Sequence, residues 1–299
     1  MTPSASGPKT IVVALGGNAV APPGERATIA NQFRHTRESL APIVELARLG
    51  WRIALVHGNG PQVGDALART EIAAPTIEPL PLGVLVAATA GWMGYMIQQS
   101  LQNALARAGI SRRAVTLITQ TRCAADDPEL ARPSKPIGHQ PWQRLAPSPR
   151  PLEIVESAMV SDLVSAGHIV IACGGGGPPV YTDPGLGLEG IDAVVDKDRV
   201  AAILAVGIAA DVLLILTNVS AVYRGYGTPH EERLTHLGLD DVTRLLSGNE
   251  LGTGSMRPKV EAAGEFVRVG GGRAVIAELA DGLAALDGRS GTTITRAAS

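Results

Sequence analysis

The sequence predicts an α/β fold: a three-layer αβα sandwich around a mostly parallel sheet, divided into two lobes. Three observations predict it. Short β-branched runs recur along the 299 residues, several of them apolar on both faces, as strands inside a parallel sheet are. Segments with helical spacing lie between these runs, and strand–helix alternation of this kind builds a layered α/β domain. Glycine clusters stand where strands end, at the edge where open α/β sheets hold ligands.

In chain order, "TIVVAL" (10–15) reads as the first strand and 28–49 as a helical stretch closed by Gly50. "WRIALV" (51–56) is the second strand, 83–108 a helix closed by Gly109, and "AVTLIT" (114–119) the third strand. Residues 120–151, rich in Pro, Arg and Asp, read as a surface excursion. A helix over 152–166, closed by Gly167, leads to "HIVIAC" (168–173). A lobe boundary falls near 178–190, which gives lobes of 1–180 and 181–299. The second lobe reads as a helix over 197–206 with Gly207 behind it, a strand "DVLLIL" (211–216) and a polar loop over 217–237. A helix over 258–269 and the strand "RAVIAE" (273–278) follow. The four helix-closing glycines suit the left-handed C′ position.

At 45% hydrophobic and 18% charged residues, the chain has the balance of a soluble globular protein. Only 3% is aromatic, so Ala, Val, Leu and Ile must build the core. A net charge of -2 speaks against nucleic acid or an anionic membrane as the main partner, but leaves room for a small anion. Cys123 and Cys173 form no CxxC, so a disulfide framework and a zinc site are not expected, and a cytoplasmic setting is. "MTPSASGPKT" has no apolar core of a signal peptide, and the apolar run 201–216 is interrupted by Asp211, so no membrane span is expected.

Three strands end in glycine: "ALGGNA" (14–19), "VHGNGPQVG" (56–64) and "CGGGGPP" (173–179). Each alone reads as a tight turn. Three at the carboxyl end of one sheet point to backbone amides around an anion. No Gly-Lys pair exists for a P-loop, Gly58 begins only a near miss to GxGxxG, "HEERL" lacks a zincin's second His, and GxSxG is absent. In "VVDKDRV" (194–200), Asp196 reads as an N-cap with a solvated charged turn behind it. In "GSMRPKVEAA" (254–263), Ser255 is a candidate N-cap and Lys259 lies in the first helical turn. A cation there opposes the helix dipole by roughly 0.3–1 kcal/mol, so an anion that it must meet explains it better. Two such lysines beside three glycine turns suggest a phosphoryl-transfer pocket, a reaction that needs positioning and charge neutralisation. His57 reads equally as a ligand contact or a strand-end residue bonded to backbone. His139 and Trp142 lie in the excursion, Trp92, Met93 and Met96 read as core or subunit interface, Cys173 as a small buried residue, and Arg112–Arg113 as a solvated corner.

"IVVALGGNAV", "LVHGNGPQVG", "KPIG", "PSPRP", "ACGGGGPPV", "GIDAVVDKD", "ILTNVSAVY" and "GSMRPKVEAA" occur in that order between residue 11 and the C-terminal region. Together they closely resemble the carbamate kinases of the amino-acid-kinase superfamily. The resemblance implies that superfamily's fold and reversible phosphoryl transfer between carbamoyl phosphate and ADP, giving ATP and carbamate, with Mg²⁺. It also implies a homodimer, a role in arginine metabolism, an acceptor lobe over 1–180 and a nucleotide lobe over 181–299. By motif position, Gly16, Gly17 and Asn18 line the transfer site. Gly58, Asn59, Gly60, Gly174, Gly175 and Gly176 bind the carbamate or carbamoyl phosphate end. Lys197 and Lys259 neutralise the moving phosphoryl and Asp198 organises them. Lys135 reaches substrate from the base of a lid, and Asn218, Val219, Tyr223, Met256 and Lys259 border the nucleotide. No resident metal ligand is assigned. Related kinases carry a lysine where this chain has Ala14, a difference shared by carbamate kinases, and Lys197 is the substitute. The chain departs from the pattern in two places. Only "HQPWQRLA" separates "KPIG" from "PSPRP", so the lid over 120–151 is short, and "LTNV" stands for the more usual "LTGV". Two alternatives follow: a superfamily kinase with another small acid or phosphate as acceptor, and a non-catalytic nucleotide-binding homologue.

Overall fold

A computed structural model describes residues 7–22, 24–248, 250–251 and 255–297, apart from the side chain of Asn18. The chain begins β1 (Thr10–Leu15), α1 (Ile29–Ser39), α2 (Ala41–Arg48), β2 (Arg52–His57), α3 (Gly60–Ala73), α4 (Leu82–Arg107) and β3 (Ala114–Thr116). Four short strands follow, β4 (Thr121–Cys123), β5 (Lys135–Ile137), β6 (Arg144–Ala146) and β7 (Pro151–Ile154). Next come α5 (Ser157–Ser165), β8 (Ile169–Ala172), β9 (Pro179–Asp183), β10 (Gly187–Gly190) and α6 (Lys197–Gly207). The last part runs β11 (Val212–Thr217), β12 (Val222–Arg224), β13 (Glu232–Leu234), β14 (His236–Leu237), α7 (Leu239–Ser247) and α8 (Met256–Arg268). It closes with β15 (Arg273–Glu278), α9 (Gly282–Leu286) and β16 (Thr292–Ile294).

Eight strands form one sheet in the order β14-β16-β15-β11-β1-β2-β8-β3. All pairs are parallel except β15–β16. Alternation along each strand sorts the core into two faces. Val12, Ala14, Ala54, Val56, Leu213 and Ile215 pack against α5, α6, α7 and α8. Their neighbours Ile11, Val13, Ile53, Leu55, Val212 and Leu214 pack against α2, α4 and α9. The result is the three-layer sandwich the sequence predicts. Each fully buried Leu or Ile in these layers contributes about 1.5–3 kcal/mol of hydrophobic stabilisation.

Several elements differ from the sequence reading. The helical stretch 28–49 is two helices, because Pro42 in the first turn of α2 lacks an amide to continue α1. Residues 151–154 are a strand pairing antiparallel with β4, and the helix starts only at Ser157. Gly50, Gly109 and Gly167 take the left-handed conformation expected of them. Gly207 stays helical and Ala209 takes it instead (φ 50°), while Gly207 lets α6 approach Ser157. The excursion over 120–151 is not one projecting unit. Its ends, β4 and β7, join β9 and β10 in a second sheet, and only the β5–β6 hairpin remains as a lid. Arg112 is no solvated corner: its guanidinium donates to Gly167 O at 2.9 Å and Trp51 O at 2.6 Å.

Candidate active site

The turns after β1, β2 and β8 leave the carboxyl ends of neighbouring strands and touch one another. A Cβ on Gly58 would lie 3.1 Å from Cδ of Lys197 and 3.6 Å from the amide nitrogen of Gly17. One on Gly174 would lie 2.6 Å from His57 Nε2, and one on Gly175 2.1 Å from Asn59 Nδ2. On Gly176 it would meet Val195 O at 2.4 Å, just before α6. The tetraglycine therefore has a packing reason of its own: His57, Asn59 and Val195 occupy the space side chains would take. Among the described residues, the amides of Gly17, Gly174 and Gly175 have no protein acceptor. Gly174 and Gly175 are buried and Gly17 is half-buried; buried donors are rarely left so, and the three suit an anion.

The first turn of α3 is also open. Asn59, its N-cap residue, does not cap; its side-chain amide donates to Thr89 Oγ1 at 2.8 Å. Gly60 and Gln62 therefore begin the helix with uncapped amides, a second anion-binding element. At α6 the N-cap reading holds: Asp196 accepts from the amides of Asp198 and Arg199. Ser255 precedes α8 without a capping bond; its carbonyl instead accepts from Lys259 Nζ at 3.1 Å.

Asp198 holds the two lysines together. Lys197 Nζ is 2.5 Å from one carboxylate oxygen and Lys259 Nζ 3.4 Å from the other. The Asp198 side chain is 4% exposed and that of Lys259 9%, so water screens the cluster little. Burial pulls the pKa of Lys259 below the ordinary lysine value, and Lys197 adds to this, against the pull of Asp198 and Asp196. Asp196 is a further member. Its second oxygen accepts from Lys135 Nζ at 2.7 Å, which ties the hairpin to the start of α6. Burial pushes the pKa of Asp196 up, but Lys135 and Lys197 outweigh it and hold the carboxyl well below the usual range.

Gly16 and Gly17 open a single 3-10 turn that includes Asn18 by its backbone, and the side chain of Asn18 lies outside the described part. Asn218 and Val219 follow β11 at the same edge of the sheet. Tyr223 lies on β12, its hydroxyl 2.7 Å from Ser220 Oγ and its ring 5.6 Å from that of Tyr226. Met256 opens α8, one turn before Lys259. The structure thus gathers Gly17, Gly58, Lys135, Lys197, Asp198 and Lys259 with Gly174–Gly176 alongside, and sets the four nucleotide candidates on adjoining elements. Sequence reasoning missed Thr89 and the second role of Asp196. The only available signal, an N-cap aspartate, does not reveal a lysine 61 residues away.

His57 is buried, with Nε2 unbonded among the described residues and Nδ1 3.2 Å from Gly58 O. Burial lowers its pKa to about 4, so the ring is neutral at pH 7. His139 pairs with Asp65, Trp142 is half exposed, and Met93 and Met96 are buried with Val20. Burial raises the Cys173 thiol to about 12, which leaves it inert. A cavity of about 640 Å³ between α6, α8 and β7, lined by Arg150, Ile203 and Phe266 among others, contains none of the glycine turns or site lysines. It is not the reaction site.

Glycine turns at the carboxyl edge of a parallel sheet, beside two lysines on one buried carboxylate, define a phosphotransferase. The chain belongs to the amino acid kinase family, whose sequence model matches residues 9–278. It is 42% identical to the carbamate kinase of Halobacterium salinarum, over 96% of this chain and 98% of that one. With the Pyrococcus horikoshii carbamate kinase it shares 37% identity over 96% of its own length and 99% of the relative's. That alignment runs over 313 positions, more than this chain's 299 residues, so the relative carries residues absent here. The solved carbamate kinase of Giardia lamblia bound to AMP-PNP superposes with a TM-score of 0.91 at 34% identity, covering 97% of this chain and 99% of that one.

Proposed function

We propose that the protein is a carbamate kinase, an ATP-dependent phosphotransferase that moves a phosphoryl group reversibly between ATP and carbamate. The observation that carries this reading is the buried Lys197–Asp198–Lys259 cluster set against Gly17 and Gly58. In our mechanism the two lysines face the phosphoryl in flight, where its charge spreads over three oxygens and needs neutralising partners. Asp198 keeps both ammonium groups aimed at one point. The amides of Gly17, Gly174 and Gly175 and the start of α3 hold the small acyl phosphate, and Lys135 closes on its far side. On this reading Asn218, Val219, Tyr223 and Met256 border the nucleotide, with residues 181–299 as the nucleotide lobe and 1–180 as the acceptor lobe.

Among the described residues, no group of three His, Cys, Asp or Glu side chains could cage a metal, and Asp196 and Asp198 are both engaged by lysines. Such a donor set fits Mg²⁺ that arrives on the nucleotide phosphates, which supply most of its oxygen ligands. When bound, the ion neutralises phosphate charge. A cytoplasmic homodimer serving arginine metabolism is the setting this reading implies. Among the described residues, no helix is long and apolar enough to cross a membrane.

Purified protein given ADP, Mg²⁺ and carbamoyl phosphate forms ATP in a coupled assay. Lys197→Ala and Lys259→Ala each cut that rate by roughly two or more orders of magnitude while the protein stays folded. Near-wild-type turnover in either variant sinks the mechanism. The short hairpin favours a second reading, a different small acid as acceptor; bound nucleotide without ATP formation from carbamoyl phosphate selects it.

A further inference from the structure

The β5–β6 hairpin is fastened to α3. Gly138 donates its amide to Gly60 O at 2.9 Å. Asp65 takes the next residue twice, accepting from the His139 amide at 3.0 Å and meeting its ring Nδ1 at 2.8 Å. Arg144 reaches Glu71 at 2.6 Å, and Ile137 and Ala146 are buried with Val63, Leu85 and Val86. Gly64 makes the approach possible, since a Cβ there would lie 2.0 Å from Gly138 N. At its other end the hairpin delivers Lys135 to Asp196, on the start of α6.

These contacts are not equal. The Arg144–Glu71 pair is exposed on both sides, and such pairs contribute little. Asp65 bonds at the bend itself, where Gly138 takes a left-handed φ of 83° and the chain reverses. One carboxylate that holds both the backbone and the ring of His139 fixes the position and the rotation of the bend. Lys135 lies three residues before Gly138, on the strand that enters this bend.

We propose that Asp65 is a positioning residue for Lys135: through His139 and Gly138 it holds the shortened hairpin so that the lysine stands at the acceptor end of the site. The proposal rests on reading Lys135 as a carbamoyl phosphate contact. Asp65 touches no substrate and acts only through the hairpin.

Steady-state kinetics of wild type, Asp65→Ala, Lys135→Ala and the double variant test it, with carbamoyl phosphate and ADP varied separately. Asp65→Ala should raise the KM for carbamoyl phosphate roughly ten-fold, as displacement of a binding group by about an ångström does, and leave the KM for ADP within about two-fold. Added to Lys135→Ala, it should change nothing further, because its only route is already cut. His139→Ala, which keeps only the bond from the backbone amide, should fall between wild type and Asp65→Ala, and it carries the test if Asp65→Ala does not fold. The proposal is overturned by an unchanged carbamoyl phosphate KM in Asp65→Ala or, where that does not fold, in His139→Ala, by a parallel rise in the KM for ADP, or by multiplying effects in the double variant. If Lys135→Ala itself leaves the carbamoyl phosphate KM unchanged, the reading of Lys135 fails and this proposal with it. If only Asp65→Ala and His139→Ala are silent, that reading stands and Asp65 is an ordinary surface anchor.

Discussion

His57 lies against Gly174 with a ring nitrogen that, among the described residues, has no hydrogen-bond partner. Its pKa of about 4 in the folded chain against 6.5 in water means that the unfolded chain binds the extra proton first on acidification. Its stabilising contribution is therefore complete above pH 6.5 and is lost as the pH falls towards 4. Between pH 7 and pH 4.5 this one residue should remove about 2–3 kcal/mol of unfolding free energy. Urea unfolding at the two pH values checks it: in His57→Asn the pH-dependent loss shrinks by that amount, and an unchanged loss means the ring stays accessible to protons. Residues of this kind mark the limit of sequence reading. Lys197 and Lys259 are legible because a cation in the first turn of a helix opposes its dipole, whereas Asp198 suits such a turn and enters only through the family resemblance. The Asp65–His139 and Lys135–Asp196 pairs are not legible, because their partners are 74 and 61 residues apart and each residue alone looks like surface charge.

Among the elements, the tetraglycine turn carries the sharpest constraint. Gly175 has φ 67° and Asn59 stands 2.1 Å from where its Cβ would be, so Gly175→Ala adds a collision to the strain of a left-handed residue. Gly187→Ala is the control: its φ is 88° but nothing lies within 4 Å, so it pays only the strain, about 1–2 kcal/mol. Thermal unfolding should rank Gly175→Ala well below Gly187→Ala, and equal melting temperatures would mean that Asn59 moves aside freely. Strands buried on both faces announce themselves by composition, so β1, β2, β8, β11 and β15 were each located within a residue or two. The two-residue β14 and three-residue β16 are too short for a periodic signal, and α7 falls between the loop read over 217–237 and the helix read over 258–269, where the sequence reading assigns no element. In α5 the apolar residues of β7 simply extended the helical spacing backwards.

For the molecule as a whole, the two proposed lobes share one sheet. β1 of the first pairs with β11 of the second from Ile11–Val212 to Leu15–Leu216, and every side chain in that ladder is apolar. Separated after residue 180, each part would present a long, flat, hydrophobic strand with its hydrogen-bonding groups unpaired, the template on which chains aggregate. Residues 1–180 or 181–299 produced alone should accumulate as insoluble material, while the two produced together recover soluble protein, as a sedimentation assay of lysates reads out. Soluble, monomeric halves would mean that the seam is dispensable. The seam also limits how the enzyme can adapt to its ligands. A hinge opening across β1–β11 would have to break backbone bonds in the middle of the sheet, so accommodation must come from parts hung on its rim. The central strand pair makes the protein an anvil, and only its edge can act as the hammer.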